Sequence, residues 1–137
     1  MKKIQNIAQL LVASWSLSGK TRIPTSHGAL DRALKDAYEA GMFPAWATDE
    51  LHFVDSRVGM QCVELPEILE WAQDAQFTTA PNPSYQYTEI QISNRVAVKL
   101  LQRVGVSQED ARKLGSQVIQ RLSELSPQFE TDRDMAT

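Results

Sequence analysis

Between Ser93 and Leu125 the apolar residues fall on one side of two helical patterns separated by a single break, Gly105-Val106-Ser107. Ala97, Leu100, Leu101 and Val104 form the first stripe, and Ala111, Leu114, Val118, Leu122 and Leu125 form the second. Recurrence at three and four residues is the signature of a helix with one face in a core. Ser93 or Asn94 is placed to cap the first helix. Ser107 with Asp110 makes a variant capping box for the second, where acidic side chains also suit the positive end of the helix dipole. Two such rods can pack as a pair with their apolar sides turned inward and their cationic sides outward.

The first part of the chain supplies two more helical patterns. Ile4, Ile7, Ala8, Leu11 and Trp15 predict a helix over residues 3–17, ended by Gly19. A second runs from about Ser26 to Ala40, capped by Thr25 or Ser26, with Leu30, Ala33, Leu34, Ala37 and Tyr38 on one side and Gly41 at its C-terminal cap. Within it Asp31 and Lys35, Arg32 and Asp36, and Lys35 and Glu39 stand four apart as candidate ion pairs.

From Met42 to Ile92 the period changes. Leu51 to Val54 and Arg57 to Val63 read as the strands of a hairpin around Asp55-Ser56. Leu65-Pro66 opens a helix with Ile68, Trp71, Ala72 and Ala75 inward and Glu67, Glu70 and Asp74 outward. Pro81 and Pro83 make residues 78–84 a loop, and Tyr85 to Ile92 is β-prone and expected to join the hairpin as a third strand. The fold class that follows is α+β, in the order ααββαβαα, with helices at both ends of a small antiparallel sheet; a mainly α fold is the alternative.

At 137 residues with 42% apolar content the chain has enough material for one domain with its own core, assigned to residues 1–126, and Pro127 begins an expected flexible tail over 127–137. The single cysteine, Cys62, excludes an internal disulfide framework and fits a reducing, cytoplasmic setting. Gln5, Asn6 and Gln9 break the apolar run that a signal peptide would need after Met1-Lys2-Lys3. No run approaches the roughly 20 apolar residues that cross a bilayer.

The net charge of −3 is distributed unevenly. Residues 1–41 carry six bases and three acids, 42–92 one base and eight acids, and 93–125 six bases and three acids. An acidic middle between basic segments can be neutralised within the fold or can offer faces of opposite sign to partners.

Several patterns suggest chemistry and lose to simpler readings. Ser18-Gly19-Lys20-Thr21 matches the end of a phosphate-binding loop, but Ser14 stands where its first glycine belongs, so a helix-ending turn is expected. His27 and His52 lack a second histidine or cysteine at metal-ligand spacing, so no metal and no cofactor is assigned. His52 with Cys62 or Ser56 would form a nucleophile set only if the hairpin brought them together. Glu64, Glu67, Glu70 and Asp74 read as a solvated face.

Two surfaces remain. Trp46, Trp71, Tyr85 and Tyr87 lie in or beside the acidic segment, and Trp71, Tyr85 and Tyr87 with Glu67, Glu70 and Asp74 would suit a basic protein partner. The segment 93–122 resembles a helix-turn-helix motif: Gly105 is the turn glycine, and Val104, Val106, Ala111 and Leu114 hold the locking positions. The resemblance implies a nucleic-acid face of Arg112, Lys113, Ser116 and Gln120, with Arg95, Lys99 and Arg103 adding phosphate contacts. Glu109 and Asp110 oppose that use, Leu101 replaces the usual small residue before the turn, and a plain helical hairpin uses the same stripes. The functional expectation is a non-catalytic interaction or regulatory protein, an adaptor with a protein partner, that presents the C-terminal helices or the acidic aromatic middle. A nucleic-acid-binding regulator is the alternative and a small enzyme the second, and the Ala111 to Leu125 stripe is also available for a homodimer.

Overall fold

The computed structural model describes residues 3–25, 28–57, 59–79 and 87–125. Its elements are α1 (Lys3–Leu17), β1 (Arg22–Pro24), α2 (Ala29–Glu39), α3 (Ala45–Thr48), β2 (Phe53–Ser56), β3 (Gly59–Cys62), α4 (Leu65–Asp74), β4 (Tyr87–Glu89), α5 (Asn94–Val104) and α6 (Gln108–Leu125). The α+β class and the helices at both ends are as the sequence predicts. The expected flexible tail and the loop prolines lie outside the described residues.

Helix α1 is the centre of the molecule, packed against α4, α5 and α6. Every residue from Ile7 to Ser16 is buried, where the periodicity gave a single stripe. Leu10, Val12 and Ala13, off that stripe, are enclosed as well. A helix apolar around most of its circumference is stable only inside a core, and full burial of each large aliphatic contributes about 1.5–3 kcal/mol. Its buried serines are satisfied: Ser14 Oγ donates to the Leu10 carbonyl at 2.7 Å, and Ser16 Oγ donates to Asn94 Oδ1 of α5 at 2.9 Å.

The strands form two separate two-stranded antiparallel sheets instead of one sheet of three. The hairpin β2–β3 pairs Phe53 with Cys62 and Ser56 with Gly59, so its turn is two residues later than Asp55-Ser56. Strand β4 does not join it. It pairs with β1, a strand the sequence reading missed, with Arg22 opposite Glu89 and Pro24 opposite Tyr87. The short helix α3, begun by Pro44, was also not anticipated.

Helix α2 starts at Ala29, with Gly28 rather than Thr25 at its N-terminal cap; Ser26 lies outside the described residues. Of its three expected ion pairs Lys35–Glu39 forms, at 4.0 Å. Two acids of the other pairs instead reach distant elements. Asp31 Oδ2 accepts the Cys62 backbone N–H at 2.8 Å, anchoring the hairpin, and Asp36 pairs with Arg121 of α6.

The C-terminal pair forms the two helices and the caps that the sequence predicts. Ser93 Oγ accepts the Val96 N–H at 3.3 Å and Ser107 Oγ accepts the Asp110 N–H at 3.1 Å, so both caps are made. Gly105 ends α5 at φ 72°, a left-handed conformation that glycine adopts without strain. Ala97, Leu100 and Leu101 of α5 and Ala111, Leu114, Val118 and Leu122 of α6 are buried. The two helices pack mainly against α1, and α6 also against α2, and they touch each other little. They are therefore not a self-contained hairpin. With its stripe covered by α1 and α2, α6 does not hold an apolar face free for a second copy.

Candidate interaction surface on the C-terminal helices

The burial of one side of α5 and α6 dictates what the other side presents. On α5, Arg95, Lys99 and Arg103 are exposed, at i, i+4 and i+8 on the face opposite Ala97 and Leu101. A rise of about 1.5 Å per residue spaces them about 6 Å apart along the axis. On α6, Arg112, Lys113, Ser116 and Gln120 are exposed on the outer side. Lys113 Nζ lies 3.4 Å from Glu109 Oε1, one turn earlier, which offsets part of its charge. Arg95, Lys99, Arg103 and Arg112 have no ion-pair partner among the described residues. The acidic middle does not neutralise them. The remaining base of this segment, Arg121, is set apart, since it pairs with Asp36 and lies 3.2 Å from Glu124 Oε2.

The aromatic and acidic candidates are divided between two places. Glu67, Glu70 and Asp74 are exposed on α4, as expected. Trp71 is half-buried, edge-on to Phe77 with ring centroids 5.4 Å apart. Tyr87 is half-buried on β4 with the Arg22 guanidinium 4.8 Å from its ring centre, and Arg22 Nε lies 3.9 Å from Glu89 Oε1. No ring contact joins Trp71 to Tyr87 among the described residues. Trp46 packs partly buried against the core. Tyr85 lies outside the described residues. Much of the aromatic surface is thus engaged within the fold.

The residues weighed for catalysis are also separated in character. Cys62 is buried, and desolvation pushes its thiol up to about 12, which keeps it protonated at neutral pH. His52 is exposed and held by Glu64: its backbone N–H donates to Glu64 Oε1 at 2.7 Å and its ring Nδ1 lies 2.7 Å from Glu64 Oε2. That carboxylate raises the His52 pKa above its ordinary value of 6.5. The pair closes the base of the hairpin, where Val63 N–H donates to the His52 carbonyl at 2.8 Å. Sequence reasoning placed Glu64 on a solvated helix face and missed this role; its position just before Leu65-Pro66 and twelve residues after His52 was the available signal. His27 lies outside the described residues. Ser18-Gly19-Lys20-Thr21 is the turn that ends α1, with Gly19 N–H donating to the Ser16 carbonyl at 3.1 Å.

Among the described residues no group of three or more histidine, cysteine, aspartate or glutamate side chains is arranged to hold a metal ion, and no helix is long and apolar enough to cross a membrane. No family model matches this chain, and no curated protein or solved structure is similar enough to it to match.

Proposed function

We propose that the protein is a non-catalytic interaction protein that engages an acidic surface of a partner protein through the outward faces of α5 and α6. The observation that carries this reading is the exposure of Arg95, Lys99, Arg103 and Arg112 with no carboxylate paired to them among the described residues. Four cations unpaired among the described residues, on two capped helices, favour an anionic partner and raise its encounter rate. The aromatic middle is the lesser candidate, because Trp71 and Tyr87 are already occupied by Phe77 and Arg22.

A second reading, nucleic-acid binding, is favoured by the exposure of Arg112, Lys113, Ser116 and Gln120 together on the helix that follows the Gly105 turn. Phosphate contacts would make such binding fall steeply with salt.

Fluorescence anisotropy with labelled poly-glutamate and with a labelled DNA duplex tests both. The expected result is salt-sensitive binding to poly-glutamate that drops at least about tenfold when Arg95, Lys99 and Arg103 are changed together to Ala. Tighter binding to the duplex, with a salt slope reduced by Arg112→Ala and Lys113→Ala, would transfer the assignment to nucleic acid. Absence of binding to either, or binding indifferent to these substitutions, would overturn the proposal.

A further inference from the structure

The hairpin β2–β3 is a sheet of only two strands, so among the described residues β2 has a strand on one side and none on the other. Its register decides which backbone groups are left over. Val63 N–H donates to the His52 carbonyl at 2.8 Å, and bonded pairs alternate along an antiparallel ladder. Val54 with Gln61 and Ser56 with Gly59 are therefore bonded pairs, whereas Phe53 with Cys62 and Asp55 with Met60 are not. The Cys62 N–H agrees with this phase, since it turns away from β2 to the Asp31 carboxylate. The N–H and C=O groups of Phe53 and Asp55 accordingly point out of the free edge of β2. Such an edge is a template for a further strand.

The two faces of the hairpin differ. Phe53, Met60 and Cys62 turn inward, with the Phe53 ring edge-on to Tyr38 of α2 at 5.2 Å between centroids. Asp55 lies on that same side, but it is exposed and has no ion-pair partner among the described residues. On the outer side Val54 and Val63, 45% and 55% exposed, are diagonal neighbours across the ladder. Lys35 of α2 reaches the inner side of β2, its Nζ 5.7 Å from the Phe53 ring centre. Its other neighbour is Glu39, whose carboxylate stands 4.0 Å away on a side chain 63% exposed and offsets only part of the charge.

We propose that two copies of this chain pair antiparallel through their β2 edges, with a two-fold axis at Val54. In that register Phe53 of each copy stands opposite Asp55 of the other, and their outward N–H and C=O groups make four backbone hydrogen bonds. Val54 of each copy meets the other at the axis, on the outer side. Opposite residues point to the same side of a sheet, so each Asp55 arrives beside the other copy's Phe53 ring, within reach of Lys35. Symmetry makes that ion pair twice. Helix α2 packs against β3, the strand farther from the axis. With strands spaced roughly 4.8 Å apart, the two α2 helices stand roughly 14 Å from each other, clear of the distance of about 8–10 Å at which helices touch. The pairing uses neither α5 nor α6 and stands independently of the function proposed for them.

Sedimentation equilibrium of the full chain at low salt, taken up to about 1 mM, tests the pairing. So small an interface predicts a weak dimer, with a dissociation constant of roughly 0.1 mM. Amide chemical shifts followed over the same concentrations locate it: Phe53 and Asp55 are expected to move most, and Val54, whose N–H is already bonded within the hairpin, much less. Asp55→Lys and Lys35→Glu each bring like charges together twice and should raise the dissociation constant at least about tenfold. Mixed in equal amounts, the two variants should recover association, because both contacts of the mixed dimer then join opposite charges. A change that merely disturbed the fold would not be repaired by mixing. A monomer at every concentration, unchanged association of either variant, a mixture no better than its components, or shifts confined to other elements would each overturn the proposal.

Discussion

Gly115 of α6 rests directly on the main chain of Ser14 in α1. A Cβ placed at 115 would come within 2.9 Å of the Ser14 carbonyl carbon and closer still to its oxygen and to Ser18 Oγ. Ser18 Oγ itself donates to that same Ser14 carbonyl at 2.8 Å. The two longest helices therefore cross at a point where α6 has no room for a methyl group at position 115. The Ser18 hydroxyl could rotate aside, but the Ser14 main chain could not.

Gly115→Ala should accordingly destabilise the protein. In an exposed helix this change gains about 1 kcal/mol from helix propensity, but overpacking a rigid contact costs roughly 1–3 kcal/mol or more. Urea unfolding reports the balance. A midpoint above that of the parent would show that α1 and α6 do not approach so closely.

Ser107→Ala should cost about 1 kcal/mol, the usual loss when a capping hydroxyl is removed, and Ser107→Thr should recover most of it. The Asp110 N–H loses its acceptor in the first case and keeps one in the second. Equal stabilities for the alanine variant and the parent would mean that the cap is not made in solution.

His52 should titrate above 6.5 because Glu64 stabilises its protonated form. The sign follows: a folded-state pKa raised above the unfolded one gives a stabilisation fully present below the unfolded value and lost as pH rises through the raised value. An NMR titration of the His52 ring is expected to show the shift, and Glu64→Gln to abolish most of it. A His52 pKa at or below 6.5 in the parent protein would contradict the contact.

Cys62 should resist modification in the native state, because its thiol is buried and pushed up to about 12. Iodoacetamide at mildly alkaline pH is expected to label it only as fast as the molecule opens, and rapidly in urea. Prompt stoichiometric labelling of the folded protein would refute this placement.

The C-terminal helices were legible because their signals are local. Ser93, Gly105 and Ser107 fix the ends, and the alternation of cationic and apolar sides is sharp, so burial could be assigned before any partner was known. The sequence placed all seven outer side chains of α5 and α6 on the surface, where they lie. Helix α1 was legible as a helix but not as the centre: the periodicity gave it a single apolar stripe, whereas its burial extends all round from Ile7 to Ser16 and includes Gln9. Leu10, Val12 and Ala13, apolar residues off the expected stripe, were the overlooked sign. Strand β1 was not legible at all. Arg22-Ile23-Pro24 has no alternation of its own, and its partner lies more than sixty residues later, so only tertiary pairing makes it a strand. Tyr87 was assigned to the wrong sheet for the same reason. Asp31 and Asp36 show the limit of spacing rules, since each prefers a distant donor over the cation one turn away.

The enclosure of α1 also dictates when the molecule can mature. The helix that needs most cover precedes those that shield it, and two of them, α5 and α6, follow all four strands. Until both have been synthesised, Ile7 to Trp15 remain a greasy segment awaiting shelter, the kind of exposure that invites aggregation or chaperone capture. Chains cut short before Asn94 are therefore expected to be insoluble or chaperone-bound rather than partly native, and the core can close only once α6 has been made.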